Sequence, residues 1–334
     1  MEEEQQIKTY HLKFLPIFKN KIIISFFVCI IISTFFYLVF LSAPKDFPVN
    51  SFYILEKGQF LSGISGDLVN KKIIKNDFLF KVTVYLMTFG EGKIIEGNYG
   101  LYEKQSLIKI ASRIVNGETD IMPIKVTIPE GLNSMEISNL LSEKILTFKK
   151  EIFLDTVSKD KLEGYLFPDT YLLFPDSSES EIIKIMVDNF KNKILTIESD
   201  IKRSGKKLED IIKMASIVEE EARMSDTRKI VAGILWYRLS ISMPLQVDSS
   251  FKYINGKTTE TLSLDDLKMD SPYNSYLYKG LPPTPISNPG LGSIKDTINP
   301  VNTKYLYFLT DKEGNMHYAF THDEHVTNKQ KYLK

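Results

Sequence analysis

Three consecutive glutamates, Glu219, Glu220 and Glu221, end an otherwise apolar run, Ala215-Ser216-Ile217-Val218. A carboxyl group pressed against apolar side chains keeps its proton near neutral pH, because burial penalises the charged form. Such a group is a general acid, which is the chemistry that cutting a sugar–sugar bond requires. A second helical segment follows, and then a polar, acid-bearing turn, Met243-Pro244-Leu245-Gln246-Val247-Asp248. The bland alternative is that the acids mark a solvated helix end. Acids near a helix C-terminus oppose the helix dipole, and such local conflicts gather at functional sites.

The elements that would position these acids are legible from periodicity. Lys206 to Arg223 lacks Gly and Pro. Leu208, Ile211, Ile212, Ala215, Val218 and Ala222 form one stripe at three- and four-residue steps. Met214, Ile217 and Glu221 form a second, narrower one. On a helical wheel Glu219 falls close to the main stripe, Glu221 at its edge, and Glu220 away from it, toward solvent. Spacing leaves both Glu219 and Glu221 open as the desolvated acid. The next helix is predicted from about Asp226 to Leu239, with Ser225 as candidate N-cap. Ile230, Val231, Ile234, Leu235 and Leu239 make its buried face. Arg228 and Arg238 flank that face, as carboxylate-orienting groups or as surface residues. Trp236 reads as core rather than as a platform for a sugar.

The 334 residues carry a formal net charge of zero, so there is no electrostatic case for nucleic acid. The single cysteine, Cys29, excludes an intrachain disulfide framework. Ile22 to Leu41 contains no charged residue. Twenty residues at about 1.5 Å each span roughly 30 Å, the thickness of a bilayer core. Lys13, Lys19 and Lys21 precede this stretch and only Lys45 closely follows it. The expected topology is an uncleaved single-pass anchor in the bacterial cell membrane, with residues 1–21 a cytoplasmic tail and everything after Ser42 outside. Ser42-Ala43 followed by Pro44 is a poor signal-peptide cleavage site. A space without ATP excludes nucleotide-driven enzymes, and the polymeric substrate on that side is the cell wall.

Two segments echo each other. Ile54-Leu55-Glu56-Lys57-Gly58 is followed by Ile64, Leu68 and Ile73, and Ile128-Pro129-Glu130-Gly131 by Ile137, Leu141 and Leu146. Each reads as strand, Gly turn and helix, with Ser134 as N-cap of the second helix. Between them, Phe78 to Phe89 and Ser106 to Val115 read as helices, and Gly97 to Tyr102 as a turn and strand. Further on, Tyr305 to Thr310 and Met316 to Thr321 read as a hairpin. His322 and His325 have the spacing of a metal pair, but no further ligand cluster accompanies them, so no metal site is expected.

At this point the residues resemble a family. Ala215 to Glu221 is similar to the catalytic helix of the MltG-type (YceG-like) endolytic murein transglycosylases. Glu163-Gly164-Tyr165-Leu166-Phe167-Pro168-Asp169-Thr170-Tyr171 looks like its aromatic-rich motif. Val231-Ala232-Gly233 through Arg238-Leu239 and Met243 to Asp248 look like the segment after the catalytic helix. Ser271 to Tyr276, Gly280 to Ile286 and Asn288-Pro289-Gly290 complete an ordered set. The resemblance is clear from about residue 120 onward. It implies an α+β architecture: a single N-terminal transmembrane helix (22–41), a small LysM-like α/β module (50–125) and a YceG-like α+β catalytic domain (126–334).

The resemblance places the catalytic acid at Glu221, the last acid of a Glu-x-Glu pair. This chain has Ala222 where the family often has Thr, which puts a hydroxyl role there in doubt, and Glu220 where relatives often have a basic residue. The implied reaction cleaves the β-1,4 bond between N-acetylmuramic acid and N-acetylglucosamine of nascent glycan strands without water, leaving 1,6-anhydro ends. No cofactor is implied. Glu219, Asp248 and Glu163 are candidate second or supporting acids, although Glu163 before Gly164 fits a structural turn equally well. Gln246, Tyr273, Asn274 and Tyr276 are candidate sugar contacts. Cell-wall synthases of the elongation machinery are the partners the resemblance suggests. The competing readings are a wall hydrolase using Glu221 with Asp248 or Glu163, a non-catalytic wall-binding scaffold, and a pyridoxal-phosphate lyase, which conflicts with the outward topology.

Overall fold

The structure is a computed structural model and describes residues 21, 23–145, 147–258 and 261–333. Residues 1–20 of the expected tail, with Lys13 and Lys19, and also Ile22 and Leu146, which entered the expectations above, lie outside the described residues. The chain is a mixed α+β protein that divides into two compact units, residues 1–122 and 123–334.

The first unit opens with α1, Ile23–Leu41, a helix of mean hydropathy 2.6 with none of its length buried. It is long and apolar enough to cross a membrane. Its last residues, Tyr37–Leu41, wind as a π turn closed by Ser42 N–H donating to Tyr37 O at 2.8 Å. Then follow β1 (Ser51–Leu55), α2 (Leu61–Asn70), α3 (Asp77–Met87), β2 (Gly97–Leu101) and α4 (Leu107–Asn116). β1 and β2 pair antiparallel, from Ser51 opposite Leu101 to Leu55 opposite Gly97. Alternation turns Tyr53 and Leu55 of β1 inward, where with Tyr99 and Leu101 they meet Ile64, Leu68, Phe80 and Ile110 of the helices. Leu41 and Ala43, at the end of α1, pack on this same core. Asn76 caps α3 and Ser106 caps α4 through their side chains. Lys75, just before α3, donates to Leu38 O at 2.7 Å and to Ser42 Oγ at 2.8 Å. Arg113 of α4 is buried and satisfied, donating to Gly100 O, Gln105 Oε1 and Thr119 O.

The second unit begins with β3 (Ile124–Thr127), α5 (Ser134–Lys144), α6 (Lys150–Lys159) and β4 (Thr170–Leu173), and β3 pairs antiparallel with β4. This repeats the strand–helix–helix–strand order of β1 to β2, so the sequence echo is an echo of topology. Gly58 and Gly131 both turn at positive φ, +84° and +81°, a conformation that side chains with a Cβ resist. Asn133, not Ser134, is the N-cap of α5, in a capping box with Glu136. Ser134 sits one residue inside, and its hydroxyl and amide are spent on Glu163.

Helices follow, α7 (Glu179–Leu195), α8 (Glu198–Ser204), α9 (Leu208–Glu221), α10 (Ser225–Ser240) and α11 (Ser249–Asn255), and after a largely irregular segment broken by one 3-10 turn (Asp266–Lys268) comes α12 (Leu291–Ile298). The hairpin β5 (Tyr307–Thr310) and β6 (Met316–Ala319) precedes α13 (His322–Tyr332). α9 is the central element, packed against α10, α11 and α12. From Ile211 to Val218 only Lys213 escapes burial. Ile211, Ile212 and Ala215 face Phe167, Phe190 and Ile294, whereas Met214, Ile217 and Val218 face Val231, Leu235 and Ile286. The main stripe read from spacing is therefore divided: Leu208, Ile211, Ile212 and Ala215 serve one apolar cluster, while Val218 and Ala222 join Met214 and Ile217 of the second stripe in another.

α10 starts one residue earlier than predicted. Ser225 is its first residue rather than its cap, and its hydroxyl donates to Asp296 of α12 at 2.8 Å. Gly233, in the middle of α10, is explained by proximity: a Cβ there would lie 2.1 Å from the Val301 carbonyl oxygen. Alanine normally improves a helix by about 1 kcal/mol over glycine. Gly233→Ala is instead expected to destabilise the second unit by about 2 kcal/mol, because the backbone at Val301 must move. A denaturant midpoint equal to or above that of the unaltered chain would contradict this packing.

Candidate active site

α9 ends by sending its three acids to three different places. Glu219 Oε2 accepts the Gly290 N–H at 2.8 Å, where Gly290 is the N-cap of α12. Glu130 lies across the same glycine, so close that a Cβ would fall 1.8 Å from its Oε1. Burial raises the pKa of Glu130, the negative charge of Glu219 adds to the rise, and Arg228 opposes it. Glu219 is thus held at a helix N-terminus, a favourable place for an anion.

Glu220 is not solvated, contrary to the expectation from the wheel. Its side chain is 15 % exposed and paired with Lys252 Nζ at 3.1 Å. Lys252 also reaches Glu136 at 3.5 Å. Gly131 crosses the same face, with room for a Cβ only 2.9 Å from Glu220 Oε1. Burial raises the pKa of Glu220 and Lys252 limits the rise. The elements that cover this face lie far away in the chain, so a single helical wheel could not reveal them.

Glu221 is perturbed more strongly than Glu220. Burial pushes its pKa up to about 7. The Ser249 hydroxyl and amide approach the carboxyl and restrain the rise, while the charges of Asp248 and Glu220 add to it. Ser249 Oγ is itself buried, with no partner in ordinary hydrogen-bond geometry. Ser249 is the first residue of α11, and sequence reasoning missed it. The one available signal was a serine directly after the candidate Asp248.

Asp248 is fixed by Tyr276, whose hydroxyl donates to Asp248 Oδ1 at 2.5 Å. Burial and this bond raise the pKa of Tyr276. Ser275 holds the two segments together, accepting Val247 N–H at 2.9 Å through its hydroxyl and Gln246 N–H at 3.0 Å through its carbonyl. Gln246 is exposed and adopts φ +47°. Glu221, Asp248 and Tyr276 therefore come together, with Gln246 beside them in the chain. Asp248→Asn is expected to lower the pKa of Glu221 by removing a like charge. The alkaline limb of any Glu221-dependent rate profile would then move to lower pH, and an unmoved limb would show that the two carboxyls do not interact.

The remaining candidates sit elsewhere. Asn274 is fully buried, its amide donating to Leu267 O and Met269 O and its oxygen accepting Tyr276 N–H. No donor is left for a sugar, so it shapes the loop. Tyr273 is half-buried, hydrogen-bonded to Thr284 Oγ1 at 2.8 Å and packed on Tyr253. Glu163 is 5 % exposed and accepts from Ser134 N, Ser134 Oγ and Asn288 Nδ2. It clasps the start of α5 to the loop before α12, and burial raises its pKa. Arg228 pairs with Asp296 at 2.8 Å, and Trp236 donates to Thr297 O at 3.1 Å.

Arg238 is buried, near Glu221. It donates to Leu306 O at 2.7 Å and to Leu245 O, and lies over the rings of Tyr307 and Phe308. His322 and His325 both meet the ring of Tyr307. Among the described residues no group of three or more His, Cys, Asp or Glu is arranged to hold a metal. A cavity of about 690 Å³ lies along the N-terminal half of α9, lined by Tyr165, Phe190, Lys213, Pro283 and Pro285 among others. None of the three acids lines it.

Comparison with known proteins agrees with this architecture. The YceG-like family model matches residues 53–331, a span that includes most of both units. A protein of Bacillus subtilis named endolytic murein transglycosylase is 31 % identical over 304 residues, covering 84 % of each chain. A protein of Streptococcus pneumoniae with the same name is 27 % identical over 314 residues, covering 82 % of this chain and 57 % of the longer relative. The crystal structure of a yceG-like protein from Listeria monocytogenes superposes with a TM-score of 0.56 at 29 % identity, covering 83 % of this chain and 98 % of the other. The chain belongs to the YceG-like family.

Proposed function

We propose that this chain is an endolytic murein transglycosylase with Glu221 as its catalytic acid and then base. The relatives bearing that name support the activity. What carries the residue assignment is the half-buried place of Glu221 beside Asp248 and Ser249, whose surroundings push its pKa up to about 7. At neutral pH a substantial fraction of such a group is protonated, and its conjugate base is still strong enough to take a proton.

The steps follow from one carboxyl group. Glu221 delivers its proton to the oxygen linking muramic acid C1 to the next sugar, and the C1–O bond breaks with its electron pair staying on the departing oxygen. The glutamate, now ionised, accepts the proton of the muramyl C6 hydroxyl, and that oxygen closes on C1. A 1,6-anhydro ring results, the new 4-hydroxyl end carries the first proton, and Glu221 is protonated again. No water enters. Ordinary glycosidases need two carboxyl groups. Here the nucleophile belongs to the substrate, so orientation replaces the second group. Ser249 supplies near Glu221 a hydroxyl that Ala222 does not, and it favours the ionised state after proton transfer. Exposed Gln246 and half-buried Tyr273 are the remaining candidates for sugar contacts.

In this reading α1 is a single-pass anchor in the cell membrane, with the N-terminus cytoplasmic and both units facing the wall. The strand–helix–helix–strand order of the first unit supports a LysM-like module there, with a catalytic domain from 126 to 334. Cell-wall synthases are the partners such a location would favour. A hydrolase remains the second reading, because Asp248 stands close enough to Glu221 to raise its pKa. Digestion of purified glycan followed by mass analysis of the ends decides between them. Anhydro ends are expected, and reducing ends in their place would refute the transglycosylase.

A further inference from the structure

Helix α3 carries two apolar faces. Phe80 and Val84 are fully buried in the core of the first unit. On the opposite side Phe78, Val82, Tyr85 and Leu86 recur at three- and four-residue steps, and Phe89 continues the line just past the helix end. Phe78 is 64 %, Leu86 74 % and Phe89 99 % exposed. A helix on the surface of a globular unit normally has one apolar stripe. A second one, built of large side chains and open to solvent, marks a contact surface.

The chain itself indicates what lies against it. Lys75, three residues before Phe78, donates to the carbonyl of Leu38, inside the last turn of α1, and to Ser42. The first turn of α3 therefore starts at the height where α1 ends. Leu41 and Ala43 pack on the same core as Phe80 and Val84 of α3, which leaves no free linker between α1 and that core. Lysines gather at the same level. Lys104 Nζ donates to Lys45 O at 2.7 Å, and Lys72 pairs with Asp46 at 3.0 Å. With Lys75 they outnumber Asp46, whose carboxyl lies among them, and present a net basic rim next to an apolar face, the pattern of a helix lying in the plane of an anionic membrane surface.

We propose that the exposed face of α3 rests in the interfacial layer of the bilayer that α1 crosses, with Lys45, Lys72, Lys75 and Lys104 at the anionic headgroups. The proposal rests on the reading of α1 as a membrane anchor. The first unit is then held to the membrane at two places, by a crossing helix and by a helix lying flat.

The test uses the full chain reconstituted into vesicles of phosphatidylcholine and phosphatidylglycerol whose acyl chains are brominated near the headgroup. Phe78→Trp and Leu86→Trp each add one tryptophan to the single native one, Trp236, and the unaltered chain supplies the background. Both positions are exposed, and denaturation midpoints equal to the parent's establish that the variants fold. The added emission is expected to shift to the blue and to be quenched about twofold by the brominated lipid, as for a side chain seated at the acyl boundary. Alkaline extraction reads the anchor separately. A chain that resists extraction but shows no quenching overturns the proposal while the anchor stands. A blue shift without quenching also overturns it, since protein (a partner or the chain's own second unit) would then cover the face. Release by alkali removes the anchor reading and the proposal together.

Discussion

Glu221→Gln is expected to lower glycan cleavage by about 10³-fold, the range that removal of a general acid–base group commands. Glutamine preserves shape and cannot exchange the proton that both halves of the reaction need. Glu219→Gln should retain activity to within about tenfold, because the glutamine oxygen can still accept the Gly290 N–H that Glu219 holds at 2.8 Å. The pair of variants reads the site assignment directly. Loss of activity with Glu219→Gln and survival with Glu221→Gln would move the acid two residues back along α9 and leave the family assignment standing. The assay is digestion of purified strands with mass analysis of the ends, at substrate concentrations that separate a binding effect from a chemical one.

The same substitution should stabilise the fold in alkali. In the unfolded chain Glu221 returns to its ordinary pKa of 4.5, whereas in the folded one it is about 7. A carboxyl group raised in this way contributes stability below pH 4.5, and that contribution is lost as pH rises to 7, since the folded state binds the proton more tightly. A difference of two to three pKa units corresponds to about 3 kcal/mol, an upper figure because the side chain is not wholly shielded from solvent. Glutamine cannot ionise and escapes the loss. Glu221→Gln should therefore match the parent near pH 4 and exceed it by up to about 3 kcal/mol at pH 8. Glu130, Glu163 and Glu220 are also raised, so the parent alone would mix several groups. The difference between parent and variant isolates Glu221, and a difference that stays flat between pH 4 and pH 8 would mean that its pKa is ordinary. An enzyme stabilised by losing its acid is what a strained functional group predicts.

Much of the fold was legible where periodicity is local. The stripe from Leu208 to Ala222 forecast α9, the Gly-bearing turn between Tyr305 and Met316 forecast the hairpin, and the matched glycines at 58 and 131 forecast a repeated turn. Helix starts were less secure, because a serine before a helix can as well be its first residue. Ser134 and Ser225 both proved to be inside their helices, each bonding a distant acid. The site was half legible. Three acids at a helix end could be found by eye, but their fates depend on Gly290, Lys252 and Ser249, which come from other parts of the chain. Burial of Glu220 and the commitment of Glu163 and Asn274 to structural bonds arise from long-range packing, to which sequence spacing is blind. Glu130 read only as part of a turn, yet it lies against Glu219 through the closeness of Gly290.

Arg238 is a permanent cation near Glu221, and among the described residues no carboxylate neutralises it. Carbonyl oxygens of Leu245 and Leu306 restrain it instead. That restraint guards against a short circuit: a guanidinium free to swing could latch onto Glu221, lower its pKa and leave it ionised, with no proton to deliver. One of the two tethers belongs to a segment 68 residues away. A chain trimmed before Leu306 would thus keep every candidate reacting group and still work poorly, its reagent neutralised by its own neighbour.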